Sequence, residues 1–121
     1  HQVTIITFGS GVHWALETLT KNPEISADLI DLRTLQPLDT ETIFASVKKT
    51  NRVVILTEDT LFGSVASDIS SMIMENCFEY LDAPVKRVGS LESAIPFMKA
   101  LEDQYLPKQR FEKELLELLK Y

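Results

Sequence analysis

The 121 residues are 45% hydrophobic and 25% charged, the profile of an ordinary globular chain long enough to bury a core without disulfide staples. No stretch approaches the run of about 20 apolar residues that a membrane-spanning helix requires. Twelve Lys and Arg against eighteen Asp and Glu leave a net charge of −6, which is a poor match to nucleic acid, where phosphate neutralisation supplies most of the affinity. The one cysteine, Cys77, cannot form an internal disulfide, and this is the usage of a reducing compartment. The chain opens at His1 and enters strand-like sequence within two residues, so a piece of a longer polypeptide is expected.

Val3 to Phe8 is nearly all β-branched or aromatic and predicts a buried strand. The turn Gly9-Ser10-Gly11 follows, and Val12, Ala15, Leu16 and Leu19 then repeat at helical spacing until Asn22-Pro23. Ala27 to Leu32 predicts a second strand. Pro37 stops it and Asp39 is a good N-cap, with Leu38 and Ile43 placed as a hydrophobic staple and Ile43, Phe44 and Val47 facing inward. Val53-Val54-Ile55-Leu56 shows no alternation, as expected of a parallel strand covered on both faces. Gly63-Ser64 opens a helix with Val65, Ile69, Met72, Ile73 and Cys77 on its inner face. Asp82-Ala83-Pro84 breaks the chain, and Val85 to Val88 predicts a fourth strand. A short helix is expected from Pro96 through Leu101, then a stop at Leu106-Pro107. A last helix would turn Phe111, Leu115, Leu118 and Leu119 inward and Glu112, Glu114, Glu117 and Lys120 outward.

Alternation of strands and helices predicts an α/β fold: one domain over residues 1–121, a three-layer α/β/α sandwich around a mostly parallel sheet. No catalytic, cofactor or metal set stands out. The Gly9-Ser10-Gly11 turn lacks a third glycine where Trp14 stands, and no Lys-Ser or Lys-Thr follows, so it is read as a tight turn rather than a phosphate cradle. His13 and Glu17 are one helical turn apart and read as a surface pair. Glu58 and Asp59 follow the most buried strand but are too few for a metal. Cys77 has no cationic neighbour in sequence to make a thiolate, and Ser70-Ser71 has no nucleophile motif around it.

The segments Ile30-Asp31-Leu32-Arg33-Thr34-Leu35-Gln36-Pro37-Leu38-Asp39, Ser46-Val47-Lys48-Lys49-Thr50, Leu81-Asp82-Ala83-Pro84-Val85-Lys86-Arg87-Val88 and Leu101-Glu102-Asp103-Gln104-Tyr105-Leu106-Pro107 resemble the C-terminal, transketolase-like domain of the beta subunit of 2-oxo acid dehydrogenase complexes. The resemblance runs along practically the whole chain. Ser67 to Ser71 and Glu75 to Phe78 look more like the branched-chain, 2-oxoisovalerate type than the pyruvate type; an acetoin dehydrogenase subunit is the other relative, and a free-standing α/β interaction module the reading from a different class. The resemblance implies an enzyme that decarboxylates a 2-oxo acid with thiamine diphosphate and magnesium bound outside these residues, and then passes the acyl group to a lipoyl arm. It implies cytoplasmic location, or the mitochondrial matrix in a eukaryote. It implies a non-catalytic role for this domain: association with alpha and beta subunits or halves of the enzyme, and docking of the acyltransferase's peripheral subunit-binding domain. Asp82 and Tyr121 match the family's docking positions, and a net charge of −6 would steer a basic partner to them. One stretch departs from the family: Gly89 to Pro96 carries Glu92 for an aspartate and Ala94 for a proline.

Overall fold

The computed structural model describes residues 1–33, 38–60, 63–90 and 108–121. Four strands, β1 (Val3–Thr7), β2 (Ala27–Asp31), β3 (Val53–Thr60) and β4 (Lys86–Ser90), alternate with helices α1 (Ser10–Lys21), α2 (Thr40–Thr50), α3 (Val65–Cys77) and α4 (Lys108–Leu118). A single 3-10 turn, Phe78–Tyr80, follows α3. The sheet order is β2-β1-β3-β4 with every pair parallel. Helix and sheet periodicities then sort the core into two clusters. Val3, Ile5, Val54 and Leu56 meet Ala15 of α1 and Phe111, Leu115 and Leu118 of α4. On the opposite face Ile6, Val53 and Ile55 meet Ile43 and Val47 of α2 and Ile69, Ile73 and Cys77 of α3. This is the expected three-layer α/β/α sandwich.

The local signals act where they were read. Asp39 caps α2, its Oδ1 accepting from the Thr42 N–H at 3.2 Å and its Oδ2 from the Thr42 hydroxyl at 2.7 Å, while Leu38 packs on the cluster that holds Ile43. Two boundaries move. β3 runs on through Glu58 and Asp59 to Thr60, and β4 is shifted to 86–90; Thr60 pairs with Ser90 past an irregularity that re-sets the register. Leu16 is a correction: it is 48% exposed. The buried stripe of α1 is Gly11, Ala15 and Thr18, small residues that let the helix lie close to the sheet. The expected helix at Pro96–Leu101, the stop at Leu106-Pro107 and most of the divergent Gly89–Pro96 stretch lie outside the described residues.

A polar seam crosses the α2 layer. Thr4 Oγ1 lies 2.7 Å from both Ser46 Oγ and Thr50 Oγ1; the Ser46 hydroxyl donates to Asp28 Oδ2 at 2.8 Å and the Thr50 hydroxyl to the Arg52 carbonyl at 3.1 Å. Three hydroxyl protons serve these four contacts, so one of Thr4's two contacts lacks a proton in any single arrangement. Lys49 Nζ, 2.8 Å from Asp28 Oδ2, holds the Asp28 carboxyl below its ordinary range, with the Ser46 hydroxyl adding to the effect and burial opposing it.

Candidate docking surface

In a parallel sheet every strand starts at one end, so the segments leading into β3 and β4 share the amino end with the last turns of α3 and α4. Both candidate partner residues are found there, and consecutive residues hold them. Asn51 ends α2 in the left-handed conformation, φ 68°, a position that tolerates Asn better than most residues. Its carbonyl accepts from the Asp82 N–H at 2.9 Å, and its Nδ2 donates to the Tyr80 carbonyl at 2.6 Å. Arg52, next in the chain, donates from Nη2 to the Tyr121 carbonyl oxygen. Asp82 is exposed, and Tyr121 is 59% exposed. The Asp82 carboxylate makes no ion pair or hydrogen bond among the described residues, which leaves it open to a cationic partner.

Sequence reasoning placed Asp82 at a turn and Tyr121 at the end of a helix, and did not find Asn51 or Arg52. The available signal was an Asn two positions past the lysine pair at a helix C-terminus, after Thr50. The amino-end surface has a further feature. Met74, Phe78, Leu81, Ala83 and Pro84 line a groove of about 340 Å³ with Asp82 on its rim.

The opposite, carboxyl end is where open α/β sheets hold ligands. Here Gly9 turns the chain at φ 59°, and a Cβ added at Gly11 would overlap Thr7 Oγ1. The glycine turn is therefore occupied by close packing of α1 on β1 and β3, and Trp14 lies against the core cluster of that face. Thr57 is buried and its Oγ1 accepts from the Asp59 N–H at 3.2 Å; the Ser90 hydroxyl donates to the Glu58 carbonyl. His13 and Glu17 are both exposed along α1, beside Leu16, Thr20 and Lys21. Cys77 is fully buried, and burial pushes its thiol pKa up against a partial offset from the Lys48 charge, the reverse of what a nucleophilic cysteine needs.

Among the described residues no three His, Cys, Asp or Glu side chains are grouped to hold a metal ion. Gly11 is closely packed against Thr7, and no step of thiamine chemistry is routed through these residues. No helix among the described residues is long and apolar enough to cross a membrane.

Residues 1–110 match the family model described as the transketolase C-terminal domain. The chain is 45% identical over 109 residues to the pyruvate dehydrogenase E1 component subunit beta of Rickettsia felis, covering 88% of this chain and 33% of that one. It is 41% identical over 109 residues to the acetoin:2,6-dichlorophenolindophenol oxidoreductase subunit beta of Bacillus subtilis, covering 88% and 32%. It is 39% identical over 107 residues to the 2-oxoisovalerate dehydrogenase subunit beta of the same organism, covering 86% and 33%. The chain thus spans about a third of the length of these curated relatives. Among solved structures it is similar to a split-gene transketolase described as an inactive beta4 tetramer, with a TM-score of 0.79 at 26% identity, over 98% of this chain and 38% of that one. The expected preference for the 2-oxoisovalerate type is not favoured, because a pyruvate-type subunit stands at 45% and 2-oxoisovalerate-type subunits at 39% and 44%.

Proposed function

The chain belongs to the transketolase C-terminal domain family, and we propose that it is the C-terminal domain of the beta subunit of a thiamine diphosphate-dependent 2-oxo acid dehydrogenase, serving assembly and docking rather than chemistry. The observation that carries this reading is identity of 39% to 45% with beta subunits over nearly nine-tenths of the chain. Thiamine diphosphate with magnesium, held by parts of the enzyme outside these residues, supplies the decarboxylation. This domain associates with alpha and beta partners and presents its amino-end surface to the peripheral subunit-binding domain of the lipoyl acyltransferase. The open carboxylate of Asp82 and the exposed end at Tyr121, fixed by Asn51 and Arg52, support that assignment. A basic docking domain would gain encounter rate from the net charge of −6, and salt would weaken the effect.

The reading is of the shared class, a small 2-oxo acid oxidised with acyl transfer. The pocket that selects among pyruvate, branched-chain 2-oxo acids and acetoin belongs to the rest of the enzyme. The test is turnover of these three substrates by the full dehydrogenase with an artificial electron acceptor. Thiamine-dependent oxidation of one of the 2-oxo acids is expected. Turnover of acetoin alone would move the chain to the acetoin enzymes, and turnover of none would overturn the reading.

A further inference from the structure

Large apolar side chains are unevenly exposed. Of the six that stand out among the described residues, Met74 (41%), Phe78 (65%), Tyr80 (44%) and Tyr121 (59%) gather at the amino end of the sheet. Met74 and Phe78 are one helical turn apart and line the 340 Å³ groove together with Leu81, Ala83 and Pro84. Exposed carboxylates neighbour them in the chain: Glu75 and Glu79 follow Met74 and Phe78, and Asp82 borders the groove. Lys48 places its Nζ 5.2 Å from the Tyr80 ring centroid. A surface with an apolar slot and exposed acids beside it is complementary to a basic surface with one protruding apolar side chain, and binding energy concentrates at such central anchors while rim charges steer.

We propose that the Met74–Phe78–Pro84 groove is the anchor pocket of the docking surface, receiving a single aliphatic or aromatic side chain from the basic peripheral subunit-binding domain whose cations face Glu75, Glu79 and Asp82. This rests on the docking reading above and adds to it a contact that salt does not screen.

The test uses the full dehydrogenase and the isolated peripheral subunit-binding domain of its own acyltransferase, titrated at low and high salt. Phe78→Ser and Met74→Ser are each expected to weaken binding about tenfold at both salt concentrations. Asp82→Asn is expected to weaken it at low salt, with the difference shrinking at high salt. Leu16→Ser, an equally exposed apolar position on the other layer, is expected to leave binding unchanged; an equal loss there would mark the effect as general and overturn the anchor. Loss in Asp82→Asn with none in either groove variant would overturn the anchor and keep the docking reading. Loss in the groove variants alone would keep the anchor and remove Asp82. No loss in any variant would overturn both, and failure of the groove variants to co-elute with the alpha subunit would place the groove inside the enzyme's own interface.

Discussion

The N–H of Asp82 donates to the carbonyl of Asn51 across 2.9 Å, and this one bond ties the turn before β4 to the residue that ends α2. Asn51 makes the tie possible by standing at φ 68°, and its side chain adds bonds to the Tyr80 and Lys48 carbonyls. Asn51→Ala would keep neither the side-chain bonds nor the ease of the left-handed conformation, and is expected to destabilise the fold by about 2 kcal/mol. Asn51→Gly keeps the conformation and loses only the bonds, at about 1 kcal/mol. Urea unfolding of the three chains separates the two contributions, and equal losses for Ala and Gly would contradict a role for the backbone conformation.

Gly11 is the second position where the backbone leaves no choice. A Cβ there would overlap Thr7 Oγ1, whose hydroxyl already donates to the Leu56 carbonyl at 2.8 Å. Gly11→Ala must push α1 off the sheet or break that bond, at an expected cost of about 1–3 kcal/mol. A thermal midpoint at or above that of the parent chain would show that α1 is free to move outward.

The hydroxyl seam makes a narrower claim. Because Ser46 and Thr50 have their own acceptors in Asp28 and the Arg52 carbonyl, Thr4 can satisfy only one of its two contacts at a time. Thr4→Val is therefore expected to lose about 1 kcal/mol, the worth of one buried hydrogen bond, rather than of two. Chemical denaturation of the valine variant checks this; a loss twice as large would mean that both contacts carry protons.

Asp28 gives the fold an acid limb. Its pKa is lowered in the folded chain, first by the hydrogen bond from Lys49, so the folded state favours the charged form. That stability is complete above the unfolded value of about 3.9 and is lost as pH falls through the lower folded value. Lys49→Met is expected to flatten stability between about pH 5 and pH 2. Unfolding midpoints collected across that range test it, and an unchanged slope would move the acid sensitivity to other carboxylates.

Much of the fold could be read from residue patterns because the patterns and the packing share a cause. Val53 to Leu56 lacks alternation since both sides of a central parallel strand are covered, and Asp39 followed by Thr42 has the side chains a helix start requires. Helical spacing gives Leu16 the same weight as Ala15, whereas close approach to the sheet selects Gly11, Ala15 and Thr18 instead. In sequence Thr57, Glu58 and Asp59 look like a loop after Leu56; Thr57 is nonetheless buried, and β3 continues beside β4. Asp82 and Tyr121 were named from family resemblance, but their attachment to neighbouring residues depends on the path of the whole chain. Only the parallel order of the strands brings Asn51 and Arg52 between them.

The central claim is that this domain works inside a 2-oxo acid dehydrogenase. The most direct measurement is the size and company of the native polypeptide, recovered from its source cells with an antibody to this domain. A polypeptide heavier by at least one further domain, recovered together with an acyltransferase and oxidising a 2-oxo acid, is the result expected. A free product of 13.7 kDa with neither partner nor activity would contradict the account.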